Sequence, residues 1–291
     1  MTALDDAAAA LAANDMARVE AIAGEILGTQ PAHPAALQLL AAALFAQGRA
    51  AEALAVYQSA VEWLHGNLAV TQTPFGLHVL QRLGLRPRGI LDIGAFEGAF
   101  AQIARHFFAQ SPILMLEAQP GKDANLKAIA GQLPQVDYRI VLLGAENRSD
   151  VAFHRVNPAI NSSGSSLYEE QTSYPRDMLS LPMRRLDDVL AEMPGREFDL
   201  LKIDVQGAEL DVLRGGPRTL AGIEAIFMEL SLLEYNKGAP LIGEAINWLG
   251  EQGFALFDMF PLARTPQGAL LQVDGIFLRR DSDLWPQAPF F

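Results

Sequence analysis

The chain has 291 residues, half of them apolar, enough for a sizeable core in one large domain or in one domain plus a smaller module. Its formal charge of −12 argues against a broad phosphate-binding surface, and so against a nucleic-acid partner. The absence of cysteine excludes disulfides, thiolate metal sites and cysteine nucleophiles.

Residues 1–30 lack the basic start and apolar core of a signal peptide. The apolar stretch near Ala35 to Ala46 contains Gln38 and stops at Gln47-Gly48-Arg49, too short to cross a bilayer. The expectation is a cytoplasmic protein without membrane insertion. Residues 1–65 are alanine-rich and helical in pattern. Leu37, Leu40, Ala41, Leu44, Gly48, Ala53, Tyr57 and Ala60 follow the large-and-small spacing of a tetratricopeptide repeat. Ala7, Ala10, Asn14, Val19, Ala23, Ile26 and Pro31 form a weaker first copy. Such a unit is expected to cap the next domain, to self-associate or to dock a protein partner, without chemistry of its own. Residues 66–88 read as a linking helix, with Thr73 as N-cap, Pro74 at the first helical position, an end near Leu83-Gly84 and Pro87 as a stop.

From residue 89 to 291 the pattern alternates strand and helix, the mark of a parallel sheet covered on both faces. Ile90, Leu91 and Ile93 read as a buried strand, broken by Gly94 and Gly98 before a helix with Phe100, Ile103 and Phe107 on one stripe. A strand, a glycine turn and a helix bring bare backbone N–H groups up to a ligand. A dinucleotide fold needs a third glycine, and here Phe96 stands where a pyrophosphate would press closest.

Further strands are expected at Ile113 to Leu116 ending in Glu117, Tyr138 to Leu142 ending near Gly144-Ala145-Glu146, Leu200 to Ile203 ending in Asp204, and Ala225 to Met228 ending in Glu229. Ala255 to Asp258 and Gly275 to Leu278 would complete seven. Sheets of this kind gather ligands outside the carboxyl ends of their strands, where these acids stand. Glu117 is placed to take both ribose hydroxyls of an adenosine ligand. In Leu200-Leu201-Lys202-Ile203-Asp204-Val205-Gln206-Gly207-Ala208-Glu209 two charges enter an apolar strand, which is costly unless they are paired or functional.

Asp92-Ile-Gly94-Ala-Phe-Glu-Gly98 resembles the first motif of class I S-adenosylmethionine (SAM) methyltransferases. Together with Glu117-Ala118-Gln119-Pro120, the fourth-strand segment and Met228-Glu229-Leu230, it strongly resembles the FkbM family of SAM-dependent methyltransferases over residues 88–280. The family pattern has Asn where this chain has Phe96 and Glu where it has Gln206. The resemblance implies a seven-stranded, mostly parallel Rossmann-like sheet, SAM as cofactor, and methyl transfer to oxygen, commonly a sugar hydroxyl of a glycan, glycolipid or glycosylated small molecule. The cofactor-binding set it implies is Asp92, Gly94, Ala95, Phe96, Gly98, Glu117, Ala118, Glu146 and Asp204.

Asp204 is the leading general base, with cofactor binding as its other reading, and Glu229 is second. Lys202 is expected to pair with one of these acids. Ser165, Ser166, Tyr168, Lys202 and Glu209 are the candidate acceptor-binding residues. Ser165 and Ser166 belong to a polar segment, Asn157 to Pro182, that reads as a lid, and Glu234 to Gly238 is a second candidate wall. His154 is an alternative base, but Val151 to Val156 alternates like an edge strand, which would leave it exposed or structural, and no histidine spacing calls for a metal. A nucleotide-binding enzyme, a helical-repeat binding module and an N-methyltransferase are the alternative readings.

Overall fold

The computed structural model describes residues 3–30, 33–157 and 164–287. Pro31, Asn161-Ser162-Ser163 of the polar segment and the terminal Phe290-Phe291 lie outside the described residues, as do the side chains of Tyr57, Ala60 and the second histidine, His65. The chain divides into two compact units, Met1–Ala69 and Val70–Phe291.

The first unit is all-helical: α1 (Ala3–Ala12), α2 (Met16–Thr29), α3 (Pro34–Ala46) and the start of α4 (Ala50–Arg82). Ala7, Ala10, Val19, Ala23, Ala41, Leu44 and Ala53 are buried, so small side chains let the helix backbones approach closely. Asp15 caps α2 by accepting the Arg18 N–H at 3.2 Å. Arg49 joins α2 to the start of α4 through Glu20 at 2.8 Å and Glu52 at 2.6 Å.

The sequence places a helix start at Thr73-Pro74, but α4 runs through both, with Pro74 inside it. A proline there removes the hydrogen bond to the carbonyl four residues back, and the helix continues because its far side is anchored. Leu77 and Leu80 are fully buried in the core of the second unit.

The second unit is built on a seven-stranded sheet in the order β3-β2-β1-β7-β8-β10-β9. Its strands are β1 (Ile90–Ile93), β2 (Ile113–Glu117), β3 (Val136–Ile140), β7 (Leu200–Ile203), β8 (Ala225–Ser231), β9 (Phe254–Arg264) and β10 (Leu270–Arg279). The first five are parallel, and β10 runs antiparallel to both β8 and β9. This is the mostly parallel, seven-stranded Rossmann-like sheet expected from the sequence.

The period of two along each strand sorts side chains to opposite faces. Leu91, Ile93, Leu114, Leu116, Leu201, Ile203, Ile226 and Met228 share one core. It is covered by α7 (Leu186–Ala191), α8 (Glu209–Arg214), α9 (Pro217–Gly222) and α10 (Ile242–Glu251). Ile90, Ile113, Met115, Leu200, Phe227 and Ile276 share the other, covered by α5 (Ala99–Phe107), α6 (Asp123–Gln132) and the end of α4.

The strands β9 and β10 run longer than the sequence reading, and two further differences bear on the site. The run Tyr138 to Leu142 is split, because β3 ends at Ile140 and Leu142–Leu143 form β4 in a second sheet of order β4-β6-β5. There β4 pairs with β6 (Arg176–Arg184), which pairs with β5 (Arg148–Val156). The apolar run Ile140-Val141-Leu142-Leu143 carries no sign of where the chain changes sheets. Glu229 lies inside β8, because antiparallel pairing with β10 (Asp274 opposite Glu229, Val273 opposite Leu230) carries β8 on to Ser231.

Candidate functional site

At the carboxyl edge of β1, β2 and β7 lies a cavity of about 250 Å³. Gly94, Ala95, Phe96, Glu117, Ala118, Ser165, Lys202, Asp204 and Gln206 all line it. Val141, Leu142, Leu143, Phe153 and Leu167 give it an apolar side. These five come from the strand β4, its approach, β5 and the loop after it, and the sequence reading missed all but the segment that holds Leu167.

Gly94 is required here. Its φ is +77°, and a Cβ would lie 1.8 Å from the Asp204 carbonyl oxygen. Phe96 also adopts the left-handed region, at φ 49°, which is unusual for a bulky side chain. Its ring carries the Lys122 ammonium 3.6 Å from its centroid, and Lys122 also pairs with Glu97 at 2.7 Å. Gly98, at φ +77°, precedes α5 without any side-chain cap and does not line the cavity.

Glu117 grips this loop. One carboxylate oxygen accepts the Phe96 N–H at 2.8 Å and the other the Gln119 N–H at 2.9 Å. Burial raises its pKa, and these two N–H groups oppose the rise. A carboxylate oxygen has lone pairs to spare after one such bond, so Glu117 can still accept from a ligand hydroxyl. Glu117→Ala removes two charge-assisted bonds worth roughly 1.5–3 kcal/mol each in buried settings. It is expected to weaken cofactor binding by at least about tenfold in isothermal titration. Unchanged affinity would mean that the loop holds itself.

Asp92, Lys202, Glu229 and Asp274 lie on one face of the sheet, joined at its rim by Asp204. Asp92 and Lys202 are register partners on β1 and β7, and Glu229 and Asp274 on β8 and β10. The Lys202 ammonium donates to the Gly94 carbonyl at 3.0 Å and sits 3.6 Å from Asp92 and 3.7 Å from Asp204. Of the partners expected for Lys202, Asp204 is one, but the other is Asp92 rather than Glu229.

Asp92 is fully buried beneath the cavity, not in its lining, and its carboxylate oxygens have no hydrogen-bond donor. Burial pushes its pKa up to about 6 against the pull of Lys202. Burial works against the Lys202 charge, yet Asp204, Asp92, Asp274 and Glu229 together raise its pKa. Burial, then Asp204, lift Asp274 to about 7. Burial, Asp204, Glu209 and Asp274 raise Glu229 well above the usual carboxylate range. The sequence reading missed Asp274, although a charge in the apolar run Val273-Asp274-Gly275-Ile276 is the same signal that singled out Lys202.

A carboxylate whose folded pKa is raised stabilises the fold fully below its unfolded pKa, and that contribution is lost as pH rises through the folded value. For Asp274 the window runs from about 4 to about 7. Asp274→Asn is therefore expected to flatten the fall in melting temperature between these pH values. An unchanged slope would place Asp274 outside the coupled set.

Several predicted site residues turn out to hold the walls rather than face the cavity. Ser166 is buried, donates to the Gln206 carbonyl at 2.7 Å and accepts the Tyr168 N–H at 3.1 Å. The Tyr168 hydroxyl donates to Asp211 at 2.8 Å. Glu209 is buried and accepts the Val205 and Gly207 N–H groups at 2.9 and 3.1 Å. Short polar side chains beside a loop bond its backbone in preference to standing free. Ser165 does line the cavity, with its hydroxyl accepting the Val156 N–H at 3.0 Å.

Glu146 is exposed, 3.9 Å from Arg148 and outside the cavity lining, because the chain turns into the second sheet before reaching it. His154 lies on the edge strand β5, where its backbone bridges to Ser166. The two proposed walls are one structure. Glu170, buried between them, accepts from Arg176 at 2.7 Å and from the Tyr235 hydroxyl, and the Gln171 N–H donates to the Tyr235 carbonyl at 2.8 Å. Among the described residues no group of histidine or acidic side chains is arranged to hold a metal ion, and no helix is long and apolar enough to cross a membrane.

A family model described as the methyltransferase FkbM domain matches residues 92–256, over half of the chain. The chain belongs to the FkbM methyltransferase family. A second model, described as the bacterial transcriptional activator domain, matches residues 1–81. The 2-O-methyltransferase NoeI of Sinorhizobium fredii (strain NBRC 101917 / NGR234) is 28% identical over 183 residues, covering 59% of this chain and 74% of the relative. Methyltransferase 1 of Beauveria bassiana (strain ARSEF 2860) is 29% identical over 150 residues, covering 43% of this chain and 57% of the relative. Among solved structures, the N-methyltransferase NodS of Bradyrhizobium japonicum WM9 is similar with a TM-score of 0.42 at 11% identity, covering 70% of this chain and 94% of that one. A SAM-dependent methyltransferase of Aquifex aeolicus gives 0.40 at 11% identity, covering 76% and 97%.

The cofactor of this FkbM methyltransferase is SAM. The cavity suits it: the Gly94 cradle admits a ligand where a Cβ would block it, and Glu117 offers acceptor lone pairs. The Asp204 carboxylate on the lining suits a cationic sulfonium and ammonium, and Phe96 stands against a diphosphate.

Proposed function

We propose that this FkbM methyltransferase moves a methyl group from SAM to a hydroxyl oxygen, on a sugar of a glycan, glycolipid or glycosylated small molecule. The observation that carries this reading is the position of Asp204. Of the four acids around Lys202, it alone lines the cavity, and its side chain keeps 31% of its surface open. A hydroxyl is a weak nucleophile at neutral pH, and a carboxylate within hydrogen-bond reach improves it. Bound SAM supplies an electrophilic methyl carbon on sulfur. Glu117 and the Gly94–Phe96 backbone would hold SAM, which would supply the methyl group and leave as S-adenosylhomocysteine as its carbon–sulfur bond breaks, while Asp204 would accept the proton of the hydroxyl that gains the methyl. Leu167 and the apolar side formed by Val141, Leu142, Leu143 and Phe153 help exclude water from the reacting pair. The name of NoeI, a 2-O-methyltransferase, supports oxygen as the receiving atom.

The test is incubation with isotopically labelled methyl-SAM and a panel of glycans and glycolipids, followed by mass spectrometric location of the label. Label on a sugar oxygen is the expected result, and label on nitrogen alone would overturn the proposal.

A further inference from the structure

The loop after β7 holds an arrangement that the roles given above do not use. Gln206 is buried, with its backbone in the left-handed region at φ 57°. That backbone is pinned independently of its side chain, by Ser166 donating to its carbonyl at 2.7 Å and by Glu209 holding the Val205 and Gly207 N–H groups. The side-chain nitrogen donates to Asp204 Oδ1 at 2.7 Å and to Glu229 Oε1 at 3.1 Å. Gln272 Nε2 donates to the same Glu229 oxygen at 2.6 Å. Both N–H bonds of one amide nitrogen are thus spent on two carboxylates, which fixes the amide's orientation, since a flipped amide would set its carbonyl against both acids.

We propose that Gln206 is a positioning residue. Its carboxamide spans Asp204 and Glu229, lets these two acids stand side by side, and holds Asp204 toward the cavity. The proposal deepens the reading of Asp204 as the acid facing the acceptor and rests on it, but its test does not need an acceptor. The charged and titratable groups facing the pair are Asp92 on β1, Lys202 on β7, Glu209 on α8, Asp274 on β10 and Tyr235 in the turn after β8. Lys202 is the cation of this set and already serves Asp92 and the Gly94 carbonyl, so the amide is the group left to separate Asp204 from Glu229.

The consequence is a definite sign. Without the amide donors, the two carboxylates hold their protons to higher pH in the folded state, so folding stability falls more steeply as pH rises. Q206L fills the same space without donors, and Q206E brings a third acid that must itself hold a proton. The full chain, without ligand, is melted from pH 5.5 to 8.5, following the transition that S-adenosylhomocysteine raises. For each variant that folds, the gap to the unaltered protein is expected to widen with pH, by about 3 °C or more over the range, as one pKa unit of coupling implies. A constant gap is what a packing role produces, and a constant gap for Q206L, or for Q206E if Q206L does not fold, would overturn the proposal. Failure of the sugar O-methylation reading would leave this result unchanged, so the two are separable.

Discussion

Gly94→Ala is expected to abolish cofactor binding and to destabilise the second unit by roughly 3 kcal/mol or more. Two effects add. The left-handed backbone at φ +77° costs a side-chain-bearing residue about 1–2 kcal/mol. The new Cβ also meets backbone rather than a movable side chain, with the Asp204 carbonyl oxygen at 1.8 Å and its carbon at 2.8 Å. The ends of β1 and β7 must part to admit it. That breaks the bond from the Asp204 N–H to the Ile93 carbonyl, now 3.0 Å, and moves Asp204 itself. Gly98→Ala is the control. It has the same φ, but the atoms nearest its Cβ would be those of the Ile129 and Met115 side chains, at 3.1–3.3 Å. Denaturant titrations with and without S-adenosylhomocysteine should therefore rank Gly94→Ala well below Gly98→Ala. Equal losses would contradict the close strand-end contact on which the cavity is built.

Asp204→Asn should lower kcat by about 10²–10⁴-fold, the usual worth of a positioned general base. Affinity for S-adenosylhomocysteine should fall far less, within roughly tenfold, since one charge-assisted hydrogen bond is exchanged for a neutral one. The asparagine can still accept from Gln206 but cannot take the acceptor's proton. Glu229→Gln should cost far less, because Glu229 is buried beneath Gln206 and Gln272 and does not line the cavity. Labelled methyl transfer to the glycan found in the acceptor screen measures both. Full turnover in Asp204→Asn would remove Asp204 as the base, and a larger loss in Glu229→Gln would exchange the two roles.

The β1–α5 turn, Glu117 and the β7 segment were legible in the sequence because each breaks a local rule: glycines at a strand end, or charges in an apolar strand. Those breaks also carried the family resemblance, and with it the sheet. What stayed hidden depends on pairing between distant segments. Asp92 meets Lys202, and Glu229 meets Asp274, only through strand register. The split between Ile140 and Leu142 follows from pairing with β6, some 40 residues on, and so moves Glu146 away from the cavity and brings Val141 to Leu143 into it. Ser166, Tyr168 and Glu209 have the composition of acceptor ligands, but their bonds go to backbone and to Asp211. Pro74 reads locally as a helix start, yet burial of Leu77 and Leu80 outweighs the bond it removes.

The central claim, that this rim cavity is where SAM lies, is tested most directly by a crystal structure grown with S-adenosylhomocysteine. The account predicts adenosine between the Glu117 carboxylate and the Val141–Leu143 side, with the sulfur end directed toward Asp204. A bound ligand lodged anywhere else on the molecule, with this cavity left open, would contradict it.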